Sequence, residues 1–427
     1  MGRVTRRAFA LAALGAFSTA SGATASGATA SGVTASGASA APERRRAAGG
    51  EMRGMWLATV AGRDWPSAPG LSAAAQRAEL IAHLDTAVRR RLNTVIFQVR
   101  PTADALWPSP HEPWSAVLTG TQGKAPGWDP LGTAVREAHA RGLELHAWFN
   151  PYRIANSADL GALAAWHPAR RHPDWVVRYG GKLYYNPGLP EVRAFVQDAM
   201  MDAVEKYAVD GVHFDDYFYP YPRAGQAFDD DEAFDRHGGD FSGRAAWRRH
   251  NIDRLVEETS ARVQQVRPGT RFGISPFGVW RNAGTDPRGS DTRALQAYDD
   301  LYADTRKWVR QNWVDYICPQ LYWPIGHAAA DYAVLLPWWA RTVRGTGTQL
   351  YVGEGLYRAG DPAQGEAWQR PAELSRHLTL AKDHPEARGH VFFAAKEVAA
   401  DPIGAMARVV ADHYRQPAAT PRRPTSG

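Results

Sequence analysis

Short apolar runs alternate with amphipathic segments along the chain from residue 51 onward. Eight runs have the length and the β-branched and aromatic content of buried strands, and the segments between them place apolar residues at helical spacing. The predicted strands are residues 52–60, 93–100, 143–150, 211–217, 271–277, 314–322, 349–356 and 390–395. The predicted helices lie near residues 72–91, 130–141, 190–208, 244–266, 296–312, 329–344, 372–384 and 402–414. This alternation predicts an α/β fold, a (β/α)8 TIM-type barrel with long βα loops.

A doubly wound open sheet is the alternative architecture for the same pattern. Such sheets bind nucleotides through a Gly-rich loop after an early strand. Neither a GxGxxG nor a P-loop pattern occurs in the sequence. The barrel is therefore preferred, and no nucleotide or other cofactor is expected.

Polar and aromatic residues accumulate where the predicted strands end. Four of the predicted strands, the second, third, fourth and sixth, end in such clusters, which are QVRP at 98–101, FNPYR at 149–153, DDYFYP at 215–220 and PQLYW at 319–323. Active sites of barrels are built at the C-terminal ends of their strands, so these clusters are predicted to form one site.

Alternation of side chains along the strands predicts which residues face this site. Val95 and Phe97 are expected to face the helices, which leaves Arg100 facing the barrel interior. The same alternation in the fourth strand directs His213 and Asp215 inward.

Five ordered segments resemble the bacterial glycosyl-hydrolase-like family 10, which is distinct from the similarly numbered xylanases. They are MRGMWL at 52–57, FQVRP at 97–101, HAWFNP at 146–151, DGVHFDDYFYP at 210–220 and PQLYWP at 319–324. The resemblance covers about residues 51–414, which it makes one (β/α)8 glycoside-hydrolase-like domain. It implies export to the cell envelope and hydrolysis of a bacterial envelope glycan, with peptidoglycan glycan strands as a leading substrate.

Glycoside hydrolysis requires two carboxyl groups, one ionised as nucleophile or base and one protonated as acid. Asp215 is predicted to be the ionised group, with a pKa held low by Arg100 and His213. An Asp that ends a strand can instead form a turn or cap a helix. Glu354, which lies between two glycines at the end of the seventh strand, is the predicted acid, with a position across the mouth from Asp215 and a raised pKa. Asp216 is the alternative acid, or else a ligand for substrate or loop.

Further residues at the strand ends are predicted to bind the sugar. Aromatic rings stack on sugars but also anchor loops, and an excess of sixteen Trp and sixteen Tyr favours stacking surfaces. Lys396 could bind a sugar hydroxyl or carboxylate, or be an ordinary surface lysine. The predicted substrate-binding residues are Arg100, Asn150, Tyr152, His213, Tyr217, Tyr219, Trp280, Gln320, Tyr322, Trp323, Tyr357 and Lys396.

The N-terminal 50 residues carry the pattern of a targeting signal. Arg6 and Arg7 precede a short apolar stretch at 8–17 and then a repeat of small residues that extends to Ser39. This order predicts a twin-arginine signal and a disordered tract, with cleavage near Ala41. A basic arm of a cytoplasmic protein is the alternative. The apolar stretch is too short to span a membrane, and no cysteine follows it that could carry a lipid.

Charge and cysteine content exclude several classes of protein. The formal net charge of +6 arises in residues 1–50 and in a C-terminal tail, 415–427, that is predicted to be disordered, so the folded region is not basic and no nucleic-acid partner is expected. Cys318, the single cysteine, cannot form an intramolecular disulfide. The oligomeric state is left open.

Two other functions fit parts of the sequence. A metal-dependent polysaccharide deacetylase would use the HFDD segment at 213–216, but the expected His-x-x-x-His partner is missing and no metal ligand is predicted. A non-catalytic glycan-binding envelope protein would keep the aromatic residues and lack turnover.

Overall fold

The computed structural model describes residues 50–421 and contains a closed barrel of eight parallel strands. The strands are β1 (Met52–Leu57), β2 (Thr94–Arg100), β3 (Glu144–Phe149), β4 (Arg153–Ala155), β5 (Val176–Tyr179), β6 (Lys182–Tyr185), β7 (Gly211–Phe214), β8 (Arg271–Ile274), β9 (Tyr316–Ile317), β10 (Gln349–Glu354) and β11 (Ala387–Phe393). The barrel runs in the order β1-β2-β3-β7-β8-β9-β10-β11 and closes back on β1. The predicted (β/α)8 fold is confirmed.

Helices follow the barrel strands and pack around them. Their lengths range from single turns in loops to long amphipathic helices between barrel strands. They are α1 (Ala73–Arg89), α2 (Ala116–Thr119), α3 (Pro130–His139), α4 (Pro168–Arg171), α5 (Pro190–Lys206), α6 (Asp231–His237), α7 (Arg244–Val266), α8 (Ala297–Asp300), α9 (Thr305–Arg310), α10 (Tyr332–Val343), α11 (Glu373–Ala381), α12 (Ala395–Ala400) and α13 (Ala405–His413). In residues 50–421 no helix has both the length and the apolar character needed to cross a bilayer.

Several strands are shorter than the apolar runs predict. Pro276 and Pro319 follow β8 and β9 closely, and proline has no N–H to continue a strand ladder. The regular strand ladder is therefore interrupted at these points, although isolated bridges continue between Phe277 and Gln320 and between Gln320 and Gly353. The aromatic residues that follow lie at the C-terminal ends of the strands, which we call the mouth.

The barrel interior is filled by large polar and aromatic side chains. A Cβ at Gly211 would overlap the ring of His146, and a Cβ at Gly273 would overlap the ring of Tyr316. Glycine at these two positions therefore makes room for the rings. The Tyr316 hydroxyl is hydrogen-bonded to Nδ1 of His146 at 2.8 Å and to Nδ1 of His213 at 3.0 Å, which satisfies buried polar atoms below the mouth.

A three-stranded antiparallel sheet, absent from the sequence-based prediction, is inserted between β3 and α5. Its order is β4-β6-β5, and Arg153 on β4 lies opposite Tyr184 on β6. The sheet follows directly on the Asn150-Pro151 turn at the end of β3, so it stands beside the mouth.

The C-terminal segment is ordered as far as residue 421, so the prediction of a disordered tail from 415 is wrong for 415–421. Thr420 Oγ1 donates to Glu144 at 2.5 Å, and Arg271 donates to the carbonyl of Pro421 at 3.3 Å. The N–H of Glu51 donates to the carbonyl of Ala419 at 2.8 Å. These contacts hold the segment at the N-terminal end of the barrel, opposite the mouth. The predicted twin-arginine signal and the last six residues lie outside the described residues.

Candidate active site

Asp215 lies at the end of β7 and is held by donors from three directions. Trp148 Nε1 donates to Oδ2 at 3.0 Å, and Asn150 Nδ2 lies 3.2 Å from both carboxylate oxygens. The N–H of Tyr217 donates to Oδ1 at 3.1 Å. Only 4% of Asp215 is exposed, so these donors fix the carboxylate in one orientation.

Arg153 is the cation whose charge lowers the pKa of this carboxylate. The predicted roles of Arg100 and His213 as charge partners are wrong. Arg100 is fully buried and forms a bidentate pair with Glu112, with N···O distances of 2.5 and 2.6 Å. Its remaining nitrogen donates to the carbonyls of Asn150 and Pro151. Arg100 therefore positions the turn that carries Asn150 rather than the carboxylate itself.

His213 is neutral because complete burial lowers its pKa well below the ordinary value of 6.5. Its Nε2 lies 2.9 Å from the Ser275 hydroxyl and 3.1 Å from the indole nitrogen of Trp56. Both ring nitrogens are thus occupied inside the barrel, and His213 neither charges Asp215 nor faces substrate.

The pKa of Asp215 is raised rather than lowered. Burial raises the pKa, while the charge of Arg153 and the hydrogen bonds from Tyr217, Asn150 and Trp148 oppose this effect. The expected strong depression is wrong because the carboxylate sits in a desolvated site without a direct ion pair.

Asp216 is the second carboxyl group at this point of the mouth. Burial and the neighbouring Asp215 charge raise its pKa to about 6. Gln320 Nε2 donates to Oδ1 at 3.0 Å, and the Tyr221 hydroxyl forms a short hydrogen bond to Oδ2. The two adjacent carboxyl groups therefore have different environments: Arg153 adds a positive charge near Asp215, whereas Asp216 has neutral hydrogen-bond donors and the negative charge of Asp215 beside it.

Glu354, the predicted acid, faces the helical layer and not the mouth. It is fully buried and accepts hydrogen bonds from Tyr332 on α10 at 2.9 Å and His377 on α11 at 2.8 Å. His390 on β11 lies 2.9 Å away. Burial alone would raise its pKa, but the charge and hydrogen bond of His377 and the hydrogen bond of His390 outweigh this and lower it. The predictions of a raised pKa and of a position across from Asp215 are wrong.

Two groups of half-buried aromatic rings lie at the mouth near the two aspartates, and we call them together the aromatic rim. Neighbouring rings within each group have centroids 5.4 to 6.2 Å apart. Partly exposed aromatic side chains can stack on sugars. The rim consists of Tyr217, Tyr221, Phe277, Trp323, Tyr322, Tyr357 and Phe393.

Three predicted sugar-binding aromatics are instead part of the core. Tyr152 is completely buried, and Tyr219 packs against Phe228 with ring centroids 5.3 Å apart. Trp280 is stacked near Trp338 at 6.0 Å. These rings stabilise the loops of the mouth from behind and offer no exposed face, so their predicted contact with sugar is wrong.

Three other predicted ligands differ in their placement. Asn150 and Gln320 both reach the aspartates, as described above. Lys396 is exposed on α12. Its expected binding to sugar stays a prediction.

The described residues do not form a metal-binding site here. Within residues 50–421 no three side chains of His, Cys, Asp or Glu are grouped as a metal would require. Both nitrogens of His213 are engaged, which removes the histidine on which the deacetylase alternative was based.

Sequence reasoning missed three residues that shape the site: Trp148, Arg153 and Tyr221. Trp148 was recognisable as an inward residue of β3 by its alternation with Ala147 and Phe149. Arg153 lies in the FNPYR segment that was predicted to reach the site, but no pattern in the sequence identified it as the cation that acts on Asp215, because its position depends on the inserted sheet.

Comparison with known proteins identifies the family of this chain. A family model described as "Glycosyl hydrolase-like 10" matches residues 51–369. Glycosyl hydrolase YngK of Bacillus subtilis (strain 168) is 46% identical over 380 residues, covering 88% of this chain and 74% of that protein. Glycosyl hydrolase DigH of Escherichia coli (strain K12) is 42% identical over 375 residues, covering 83% of this chain and 85% of that protein.

Solved structures share the fold at low sequence identity. The glycoside hydrolase domain of PgaB (BpsB) from Bordetella bronchiseptica has a TM-score of 0.50 and 13% identity, covering 84% of this chain and 98% of that one. An endo-1,4-beta-mannanase from Rhizomucor miehei has a TM-score of 0.50 and 11% identity, covering 84% and 95%. The chain therefore belongs to the glycosyl hydrolase-like 10 family and is a glycoside hydrolase.

Proposed function

We propose that this glycosidase is exported and cleaves a bacterial envelope glycan, with peptidoglycan glycan strands as its substrate and with Asp215 and Asp216 as its two carboxyl groups. The observation that carries the assignment of the pair is the difference between their environments. Arg153 and three kinds of donor favour an ionised Asp215, whereas burial and the charge of Asp215 raise the pKa of Asp216 to about 6, and its hydrogen-bond donors are neutral. Two carboxyl groups in different environments can divide the roles of acid and ionised partner in glycosidases.

In the proposed reaction, Asp216 donates its proton to the glycosidic oxygen as the bond to the anomeric carbon breaks. The ionised Asp215 stabilises the positive charge that develops on the anomeric carbon. Water supplies the hydroxyl group of the new reducing end, and its remaining proton restores Asp216. The hydrogen bonds from Trp148 and Asn150 keep Asp215 oriented, so little reorganisation is needed when the charge forms.

The choice of substrate draws on three supporting observations. The relatives named above are glycosyl hydrolases of bacteria, and the aromatic rim offers stacking faces for several sugar units. The arginine pair and apolar stretch at the N-terminus have the pattern of an export signal. Substituting Arg6 and Arg7 by Lys should retain precursor in the cytoplasm, and undiminished export of that variant would contradict the proposed route.

The test is hydrolysis of purified peptidoglycan glycan strands, followed by release of reducing ends and by mass spectrometry of the products. Asp215→Asn and Asp216→Asn should each lower the rate by about a thousandfold or more, because each loses a group that stabilises the transition state. Asp198→Asn, which alters a surface pair with Arg262, is the matched control and should keep wild-type activity.

Circular dichroism should show that all three variants are folded. An Asp215→Asn enzyme within about tenfold of wild type would remove Asp215 from the reaction. A wild-type protein that binds the strands without turnover would support the glycan-binding alternative instead, and release of acetate that a chelator abolishes would support the deacetylase.

A further inference from the structure

Three basic side chains lie together beside the candidate active site without an acidic ion-pair partner. They are Arg153 on β4, Lys182 on β6 and Arg223 in the loop after β7, and we call them the cationic cluster. Arg153 is buried and donates to the carbonyl of Pro101 at 3.2 and 3.3 Å, whereas Lys182 is half-buried and Arg223 is exposed. None of the three forms an ion pair with a carboxylate in residues 50–421.

Strand register places the first two members on one face of the inserted sheet. Arg153 lies opposite Tyr184, and Lys182 lies opposite Tyr179. Because side chains on a strand alternate between faces, Lys182 and Tyr184 point to the same side of β6. Arg153 and Lys182 therefore share the face that carries Tyr179 and Tyr184.

The same face contacts the loop that carries the third member. The Tyr179 hydroxyl accepts from the N–H of Arg223 at 2.6 Å and donates to the carbonyl of Tyr221 at 3.3 Å. The N–H of Gly180 donates to Gln226 at 3.0 Å. These bonds fix the loop after β7 against the sheet and bring Arg223 to the cluster.

The loop and the cluster also connect directly to the two aspartates. The guanidinium of Arg153 lies 5.1 Å from the ring centroid of Tyr217, whose N–H binds Asp215. Tyr221, whose carbonyl accepts from Tyr179, places its hydroxyl on Asp216. The cluster therefore stands one side-chain layer from the carboxyl groups.

Keeping these charges together has an electrostatic cost. Burial and the charges of Arg153 and Arg223 lower the pKa of Lys182. Like charges in a partly desolvated site repel one another. An anion that binds there reduces this repulsion and forms favourable ion pairs with the basic side chains. The charge of Asp215 interacts with Arg153, whereas Lys182 and Arg223 are available to bind a ligand.

We propose that the cationic cluster binds the carboxylate of an acidic sugar unit next to the scissile bond, so that the enzyme selects glycans carrying free carboxylates over neutral ones. The inference rests on the proposed function, because a muramic acid unit of a peptidoglycan strand carries a free lactyl carboxylate wherever no stem peptide is attached to it. Lys182 and Arg223 are specificity-determining residues in this proposal, and Arg153 both orients the site and contributes charge.

Binding of a matched pair of probes tests the proposal independently of turnover. The probes are the disaccharide of N-acetylglucosamine and N-acetylmuramic acid, with its carboxylate free or converted into a neutral methylamide. Isothermal titration calorimetry at low salt measures each affinity. Mass spectrometry of the same samples, and of longer strands incubated with the enzyme, reports hydrolysis separately.

The wild-type enzyme should bind the acid at least about tenfold more tightly than the amide, because only the acid forms a desolvated contact between opposite charges. Lys182→Gln and Arg223→Gln should each reduce that preference to about two- to threefold while leaving the affinity for the amide unchanged. Arg178→Gln is the matched control. It removes a positive charge from the same sheet, but Arg178 is exposed and lies opposite Leu183, on the other face.

The proposal is overturned if wild type binds both probes equally or binds neither, or if Arg178→Gln loses as much preference as Lys182→Gln. Selective binding of the acid without hydrolysis of strands would sink the proposed function and keep this inference. Hydrolysis of strands without any preference for the acid would do the reverse.

Discussion

Replacing Glu354 by Gln decides whether this residue acts in stability or in catalysis. The fully buried carboxylate accepts from Tyr332, His377 and His390 at 2.8 to 2.9 Å. Burial alone would lower the pKa of His377, but the charges and hydrogen bonds of Glu354 and Glu373 raise it. The substitution therefore leaves a buried cation with one partner fewer and points an amide group at donors.

The expected loss is large because breaking a buried ion pair costs about 3–5 kcal/mol of unfolding free energy. For a domain of this size each kcal/mol lowers Tm by about 2 °C, so Tm should fall by about 6–10 °C. Glu366→Gln is the control, since Glu366 is 81% exposed in its pair with Arg370 and should change stability by less than about 0.5 kcal/mol.

The effect should also depend on pH in a defined direction. The lowered pKa of Glu354 contributes stability above its ordinary value of 4.5, which is lost as pH falls through the folded value. The raised pKa of His377 contributes stability below its ordinary value of 6.5, which is lost as pH rises through the folded value. The difference between wild type and variant should thus be greatest between pH 4.5 and 6.5.

Thermal unfolding followed by circular dichroism, with kcat measured well below the Tm of the variant, separates the two roles. We expect a less stable enzyme whose folded fraction keeps most of its kcat. A variant of wild-type stability that has lost activity on the natural glycan would refute this reasoning and return Glu354 to the chemistry.

Three further outcomes follow from the site. Activity should decline on the alkaline side with an apparent pKa near 6, because the acid form of Asp216 is lost there, and a pH–rate profile that stays level through pH 6 to 8 would contradict this role. Trp148→Phe removes one donor to Asp215 and should lower kcat about tenfold with little change in KM, as steady-state kinetics can show. Trp280→Ala should cost about 3–5 kcal/mol of stability in chemical denaturation without raising KM, whereas Trp323→Ala should raise KM about tenfold at little cost in stability.

The barrel could be predicted from the sequence because each of its strands is a short apolar run bounded by polar or proline residues. Alternation also worked within β2, where Val95 and Phe97 belong to the outer core. In β10 the same rule would have placed Glu354 with its outward neighbours Leu350 and Val352, both of which lie in the core between barrel and helices. The error came from judging Glu354 by its position along the strand and not by its face.

The candidate site was harder to predict because it depends on contacts between distant loops. Sequence alone cannot distinguish Trp280, which anchors a loop in the core, from Trp323, which is half-buried at the mouth, since both follow strand ends. The cation that acts on Asp215 comes from the inserted sheet, whose short strands lack a strong apolar pattern. Arg100 was the nearer candidate by strand position, but Glu112 neutralises it.

The segment at the base of the barrel has a practical consequence for attaching this enzyme to other molecules. Because Glu51 pairs with Ala419, residues 50 and 421 lie side by side on the face opposite the mouth. A tag, a surface linker or a fused domain joined at either position would leave the path of a long polymer into the mouth unobstructed. The same proximity makes a circular permutant feasible, in which a short linker joins residue 421 to residue 50 and new termini open in a loop away from the aromatic rim.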